Sequence, residues 1–302
     1  MIDYSIIIPH KDVPDQLLRL LATCPATADT EVIVADDHSS QGTLQRLEAA
    51  DMAENVRLVH VGDQTKGAGA ARNAGLRAAQ GKWLIFADAD DFFLPDMKSI
   101  IDQHNDAEAD LIYFHTTSLN TTTHEPSKRH LRYNNMIDKA ATEGSTEAMD
   151  ALKYGFTPPW AKMVKRDYIV ERSILYDEVK ASNDIMFSIL AAHYAKRILL
   201  DPHEIYCITE NTLGLTQTYS KEAWYARFGV ALRANKFLRE QGKGKYQYIA
   251  LPMKSFKLSQ YGFKDVCHVA GQLIAYRQNP FVGFYAKYKE HGSVKGIFRR
   301  VQ

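Results

Sequence analysis

The first third of the chain alternates short β-branched runs with helix-patterned segments, and few architectures accept that alternation. "YSIIIP" (4–9), "EVIVADD" (31–37), "VRLVHV" (56–61) and "WLIFADADD" (83–91) are too apolar to leave one face in water. Between them, Leu17, Leu18 and Leu21, then Leu44, Leu47 and Met52, then "GAGAARNAGLRAAQG" (67–81) have helical spacing. Strands of this kind need covers on both faces and long crossovers, which predicts an α/β fold with a mostly parallel central sheet flanked by helices. Gly81 is placed to cap the Ala-rich helix at its C-terminus. "DLIYFHTT" (110–117) reads as a further strand, "SLNTTTHEPSKRH" as a loop or insertion, and 144–210 as mixed structure. From Lys221 the pattern is helical, with Trp224, Phe228 and Leu232 on one face. The expected organisation is a first half, 1–115, a second half, 116–215, and a helical C-terminal region, 216–302.

The fourth apolar run raises an electrostatic question, because it is followed by Asp88, Asp90 and Asp91, three carboxylates in four residues. Acids at that density repel one another and resist burial unless positive charge sits among them. A divalent cation supplies such charge, and an oxygen-only ligand set favours Mg²⁺ or Mn²⁺ over zinc. If the strand continues, Asp88 and Asp90 share a face across Ala89. The bland alternative is an acidic turn ahead of a helix beginning near Pro95.

Composition excludes several classes. The chain has 302 residues, is 45% apolar and carries a formal net charge of +1, so it is globular and lacks the overall charge of a nucleic-acid binder. Residues 252–302 hold nine Lys/Arg against Asp265 and Glu290, which leaves about −6 for the rest. This tail interleaves Lys254, Lys257, Lys264, Lys287, Lys289, Arg299 and Arg300 with Phe256, Phe263, Phe281, Phe284, Tyr285, Tyr288 and Phe298. The mix suits an anionic membrane surface or, equally, a solvated helical face. Cys24, Cys207 and Cys267 are widely spaced, which speaks against a disulfide framework or a zinc site and fits a reducing cytoplasm. "MIDYSIIIPHKD" enters a strand directly, unlike a signal peptide, and no apolar run approaches the ~18 residues that span a bilayer.

Other candidate residues each carry two readings. Asp36 and Asp37 end a buried strand, where an acid can accept from a base N–H or a ribose hydroxyl, or cap the next helix with His38 and Ser39. Lys66 and Arg72 flank glycines near a helix start, an arrangement that can hold phosphate or form an ordinary turn, and it does not match a Walker loop. Asp184 lies in the first turn of a helix covered by Ile185, Phe187, Ile189 and Leu190. It suits a general base if desolvation outweighs the helix dipole, and otherwise merely favours that dipole. Trp160 stacks on a sugar or fills the core, and none of the eleven histidines shows metal spacing.

Taken in order, "SIIIPHKD", "EVIVADDHSS", "KGAGAARNAGL", "FADADD" and "NDIMF" resemble the inverting family 2 glycosyltransferases of the GT-A fold. Four of these patterns fall within the first 91 residues. The resemblance implies a Rossmann-like GT-A fold. It implies Pro9 and Lys11 beside the nucleotide base, Asp36 or Asp37 on uracil and ribose, and Lys66, Arg72 and Asn73 near the nucleotide. Asp88 and Ala89 would lie on the sugar nucleotide, with Asp88 and Asp90 as the metal-holding D-x-D. Asp184 would be the base, with Asn183 and Trp160 toward the acceptor. Lys11 and Asp12 stand where the family often has Tyr-Asn, and Asn183 where it usually has Glu. The implied partners are a nucleotide-sugar donor, a UDP-sugar by expectation, and a glycan or lipid-linked glycan of capsule, exopolysaccharide or lipopolysaccharide synthesis. The expected cofactor is Mn²⁺ or Mg²⁺ and the expected location the cytoplasm, peripheral to the inner face of the membrane if the tail docks there. A catalytically silent sugar-nucleotide binder is the alternative. An aspartyl phosphatase is disfavoured because its D-x-D follows the first strand.

Overall fold

Three consecutive β-branched residues, Ile6, Ile7 and Ile8, are fully buried in β1 (Tyr4–His10), so both faces of this strand are covered. In the computed structural model, which describes residues 2–210, 220–248 and 262–282, β1 is the pivot of an eight-stranded sheet. It pairs in parallel with β2 (Thr30–Asp36) on one side and β4 (Trp83–Phe86) on the other, and β3 (Val56–His60) runs parallel outside β2. The chain therefore builds outward to β3 and returns through α3 (Ala68–Ala78) to the far side of β1. Reversal of strand order opens a crevice at the carboxyl ends of the strands, where His10, Asp36 and the turn after Phe86 emerge.

The return needs close approach, which two glycines supply. A Cβ on Gly75 would meet Ile7 Cγ2 at 2.4 Å, so only glycine lets α3 lie this close to β1. Gly81 was expected as a helix C-cap, but α3 ends at Ala78. Gly81 instead donates its N–H to Ser5 Oγ at 2.8 Å, and a Cβ there would lie 2.6 Å from the Ser5 nitrogen. Similarly, α2 (Gln41–Glu48) stops before Met52 and is capped by Ser40, which accepts the Thr43 N–H, rather than by Asp37 to Ser39.

Beyond β4 the sheet becomes mixed. β7 (Lys162–Lys165) enters antiparallel to β4, β6 (Leu111–Asn120) is antiparallel to β7, β8 (Ile198–Glu210) is parallel to β6, and the short β5 (Phe92–Phe93) closes the edge antiparallel to β8. β7 and β8 lie inside the stretch read only as mixed. β8 hides in sequence because exposed Pro202, His203 and Glu204 interrupt its apolar run, and its register with β6 shifts around His115. β4 also ends sooner than expected. The acids Asp88 to Asp91 form a turn, closed by the Asp91 N–H on the Asp88 carbonyl at 3.0 Å, so a shared strand face does not place them.

This sheet belongs to a compact unit of Met1–Val179 with Asn183–Thr216; a second unit takes in Lys180–Ser182 and Gln217–Gln302. In the second unit, Trp224, Phe228 and Leu232 of α9 (Lys221–Glu240) pack with Val269 and Leu273 of α10 (Phe263–Ala275), as their spacing predicts. No helix among the described residues is long and apolar enough to cross a membrane. Of the basic and aromatic tail, Lys254, Phe256, Lys257 and everything from Phe284 to Arg300 lie outside the described residues, while Phe263 and Phe281 are exposed.

Gly81→Ala is expected to lower the unfolding free energy by about 1–3 kcal/mol, because neither backbone can retreat. Gly42→Ala, in α2 with nothing within 4 Å of its Cβ, should raise it by about 0.5–1 kcal/mol. Urea denaturation of both variants checks the pair, and equal effects would show that close approach is not what Gly81 provides.

Candidate active site

The acidic turn after β4 is held from behind by β8. Tyr206 accepts the Asp88 N–H at 2.8 Å and donates its hydroxyl to Asp91 Oδ2 at 2.9 Å, while the Thr209 N–H reaches Asp91 Oδ1 at 2.6 Å. The Thr209 hydroxyl and the Arg19 guanidinium both hold the Asp90 carbonyl. Asp91 is therefore a structural acid, 3% exposed and gripped on both oxygens. Burial pushes its carboxyl well up, and the charges of Asp90 and Asp88 push it further. Asp90 points the other way. Its side chain reaches solvent, and desolvation followed by the Asp88 charge raises its carboxyl against the pull of Arg129 and Arg19. Ala89 between them is buried.

Asp88 receives the charge that its neighbours lack. Arg72, buried on α3, donates Nη2 to Asp88 Oδ1 at 2.5 Å and Nη1 to Asn183 Oδ1 at 2.7 Å, with its guanidinium 5.4 Å from the Tyr176 ring. Among the described residues its Nε finds no partner, so the two terminal nitrogens set the orientation of the fork. Asn73, one residue on, spends its amide on the chain: Nδ2 donates to the Tyr176 carbonyl and to Glu178, and Oδ1 accepts the Tyr176 N–H. At 1% exposure it fastens the 176–178 segment instead of facing a crevice. The glycines of the same motif serve that segment too. A Cβ on Gly69 would lie 2.1 Å from the Asp177 carbonyl oxygen, so the loop that offered itself as a phosphate cradle is instead where Asp177 and Asn183 pack on α3. Lys66 stays exposed before Gly67, which takes φ 96°.

At the ends of β1 and β2 a second group forms. Pro9 lies beyond Ile7, the last β1 residue paired with β4, where its missing N–H leaves no ladder bond unmade. Asp36 is almost fully buried, accepting from the Ser39 N–H at 3.1 Å and from His10 Nδ1 at 3.2 Å. His10 Nε2 accepts the Val13 N–H, which assigns the ring proton to Nδ1. Burial alone would raise Asp36, but the Ser39 and His10 bonds outweigh it and hold the carboxyl below its ordinary value. Asp37 is 6% exposed beside His38, and Lys11 ties the loop by donating to the carbonyls of Asp37 and His38. The bracing by His10 was missed, because a lone histidine at a strand end has no recognisable spacing.

Asp184 opens α8 (Asp184–Tyr194), with Asn183 at the N-cap. Desolvation raises its carboxyl against the opposing pull of Arg72, its own backbone N–H and Lys162, so burial outweighs the helix terminus. Through Arg72, residues 72, 88 and 183 meet, and the base candidate stands beside the acidic turn. Trp160 does not face an acceptor. It is 3% exposed, edge-on to Tyr133 at 5.1 Å and stacked on Tyr206 at 6.0 Å, so the sugar-stacking expectation gives way to core packing.

Residues 5–169, more than half of the chain, match the family described as "Glycosyl transferase family 2". The chain belongs to that family. It is 26% identical over 208 residues to the poly(ribitol-phosphate) beta-N-acetylglucosaminyltransferase TarS of Staphylococcus aureus (strain MW2), a match covering 66% of this chain and 34% of TarS. It is also 26% identical over 260 residues to the uncharacterized glycosyltransferase EpsJ of Bacillus subtilis (strain 168), covering 75% of this chain and 71% of EpsJ. The chain thus spans about a third of the length of TarS. Among solved structures, S. aureus TarS 1-349 in complex with UDP-GlcNAc superposes with a TM-score of 0.63 at 17% identity, covering 91% of this chain and 80% of that one. The sheet and its helices are the GT-A fold of TarS.

Among the described residues no group of three or more His, Cys, Asp or Glu forms a closed metal cage. The donor set nonetheless fits a hard cation held by one or two carboxylates and substrate phosphates. Asp90 is solvent-reaching and oxygen-only, the charges of Arg129 and Arg19 do not outweigh its desolvation, and Asp88 lies beside it. The raised Asp90 carboxyl also fixes a sign. Its proton is held more tightly in the folded state, so stability falls as pH rises through the carboxylate range. In chelator-treated protein, Asp90→Asn should therefore gain melting temperature over the unsubstituted chain as pH goes from about 4 to about 7. A difference that stays flat with pH would contradict the crowding.

Proposed function

We propose that the protein is an inverting glycosyltransferase that moves a sugar from a UDP-sugar to a hydroxyl of a glycan or lipid-linked glycan in bacterial cell-surface polysaccharide synthesis. The observation that carries this reading is the Arg72 bridge, which brings a desolvated carboxylate, Asp184, beside the acidic turn at the open ends of the strands. The donor class is supported by TarS structures solved with UDP-GlcNAc and with UDP, and the pathway by relatives that include the succinoglycan biosynthesis protein ExoO of Rhizobium meliloti, 33% identical over 112 residues.

In this mechanism Asp37, with Asp36 braced behind it, and Pro9 receive the uracil and ribose, and Lys66 lies toward the phosphates. Asp90 and Asp88 would hold Mn²⁺ or Mg²⁺, which when bound supplies positive charge against the diphosphate leaving group. Arg72 holds Asp88 in its orientation. Asp184 accepts the proton of the acceptor hydroxyl as that oxygen attacks the anomeric carbon from the face opposite the diphosphate. A raised carboxyl is a stronger base than an ordinary aspartate, so turnover should fall on the acid side at a pH above the usual aspartate value. Asn183, although it replaces the family's Glu, still accepts from Arg72, so the bridge survives and a silent binder is disfavoured. A cytoplasmic location accords with use of a nucleotide sugar.

Isothermal titration with UDP, with and without Mn²⁺, tests the donor site. Binding should require the metal and be lost in Asp90→Ala. Asp184→Asn should keep UDP binding while turnover falls by about 10²–10⁴. Metal-independent binding, or an Asp184→Asn variant with undiminished turnover, would sink the corresponding part of the proposal.

A further inference from the structure

Lys162 opens β7 and is 4% exposed, among the most deeply buried charged side chains of the fold. Its ammonium donates to the Phe156 carbonyl at 2.9 Å and to Ser188 Oγ at 3.2 Å, and lies 4.8 Å from the Phe156 ring and 5.4 Å from that of Tyr113. Phe156 follows α6 (Thr146–Gly155), so the cation sits at the negative end of that helix. Ser188 in turn donates its hydroxyl to the Thr157 carbonyl at 2.6 Å. Asp184 and Ser188 are one turn apart on the same face of α8. A lysine sealed among rings without a hydrogen-bonded carboxylate is costly, and an apolar side chain of similar length would fill the space at lower cost. Among the described residues, Asp184 is the charged group that bears on it.

We propose that Lys162 is a positioning residue for Asp184: it ties the first turns of α8 to the end of α6 through Ser188, and its charge acts on that carboxylate. The proposal rests on the reading of Asp184 as the base. The other groups facing Asp184 are Arg72 from α3 and Asp88 from the acidic turn, with Tyr133 of α5 (Leu131–Glu143) and Tyr176 feeling its charge. Arg72 is already hydrogen-bonded to Asp88 and Asn183, so Lys162 is the cation whose charge no hydrogen-bonded acid offsets. The coupling is mutual. Desolvation lowers the Lys162 ammonium to about 7, and the Asp184 carboxylate opposes that fall.

Side-chain ¹³C NMR of the full chain, labelled at aspartate and lysine, reads both groups directly. The Asp184 signal is assigned by its loss in Asp184→Asn and the Lys162 signal by through-bond correlation to its own backbone. In Lys162→Met the Asp184 midpoint should move up by at least about half a pH unit. In Asp184→Asn the Lys162 midpoint should move down by a similar amount, a reading available even if Lys162→Met fails to fold. A merely structural lysine would lower the melting temperature of Lys162→Met and move neither midpoint, and that result would overturn the proposal. The base reading fails separately, if Asp184→Asn retains turnover of a UDP-sugar, a result that leaves the two midpoints as measured.

Discussion

The Arg72 guanidinium is the interaction on which the site depends. One planar fork joins α3, the turn after β4 and the N-cap of α8, three places that local sequence keeps apart. Lysine could not do this, because a single ammonium lacks the two fixed, parallel donors that Asp88 and Asn183 receive. The fork also explains why α3 is small-residue-rich. Gly75 admits Ile7 of β1 and Gly69 admits Asp177, so α3 is pressed between the sheet and residues 176–178, with Asn73 fastened to that segment and Arg72 to Asp88 and Asn183.

Carboxylate crowding is resolved by giving the acids different tasks. Asp91 turns inward and is satisfied by Tyr206 and Thr209 of β8, Asp88 is paired with Arg72, and Asp90 is exposed, with the charges of Arg129 and Arg19 too weak to offset its desolvation. Buried acids that raise one another cost stability, and folds retain such costs where chemistry needs them. The same logic applies to Asp184 and Lys162, a carboxylate and an ammonium each displaced from its ordinary value by burial and each drawn back by the other.

The parallel half was legible because its signal is local. Ile6 to Ile8, Val32 to Val34 and Leu84 to Phe86 are buried on both faces, and runs of that kind admit few alternatives. β7 and β8 were illegible for the opposite reason: Lys162 to Lys165 and Ile198 to Glu210 mix charged and apolar residues, and their pairing is decided by β4 and β6, far away in the chain. Trp160 and Asn73 show the same limit for side chains. Each belongs to a residue type that recognises ligands, and each is consumed by packing or by backbone it could not foresee.

Sequence by itself determined the order of strands and helices through residue 91, the clustering of acids at a strand end and the family pattern carried by Asp88, Asp90 and Asp184, because these depend on residue types at short range. Only the tertiary structure decided which acid is structural and which is exposed, that Asn183 receives Arg72, and that a lysine 22 positions before Asp184 is buried against Ser188 of the same helix. Those outcomes turn on desolvation and on hydrogen-bond partners brought together across the sheet, and both are properties of the folded neighbourhood rather than of the residue.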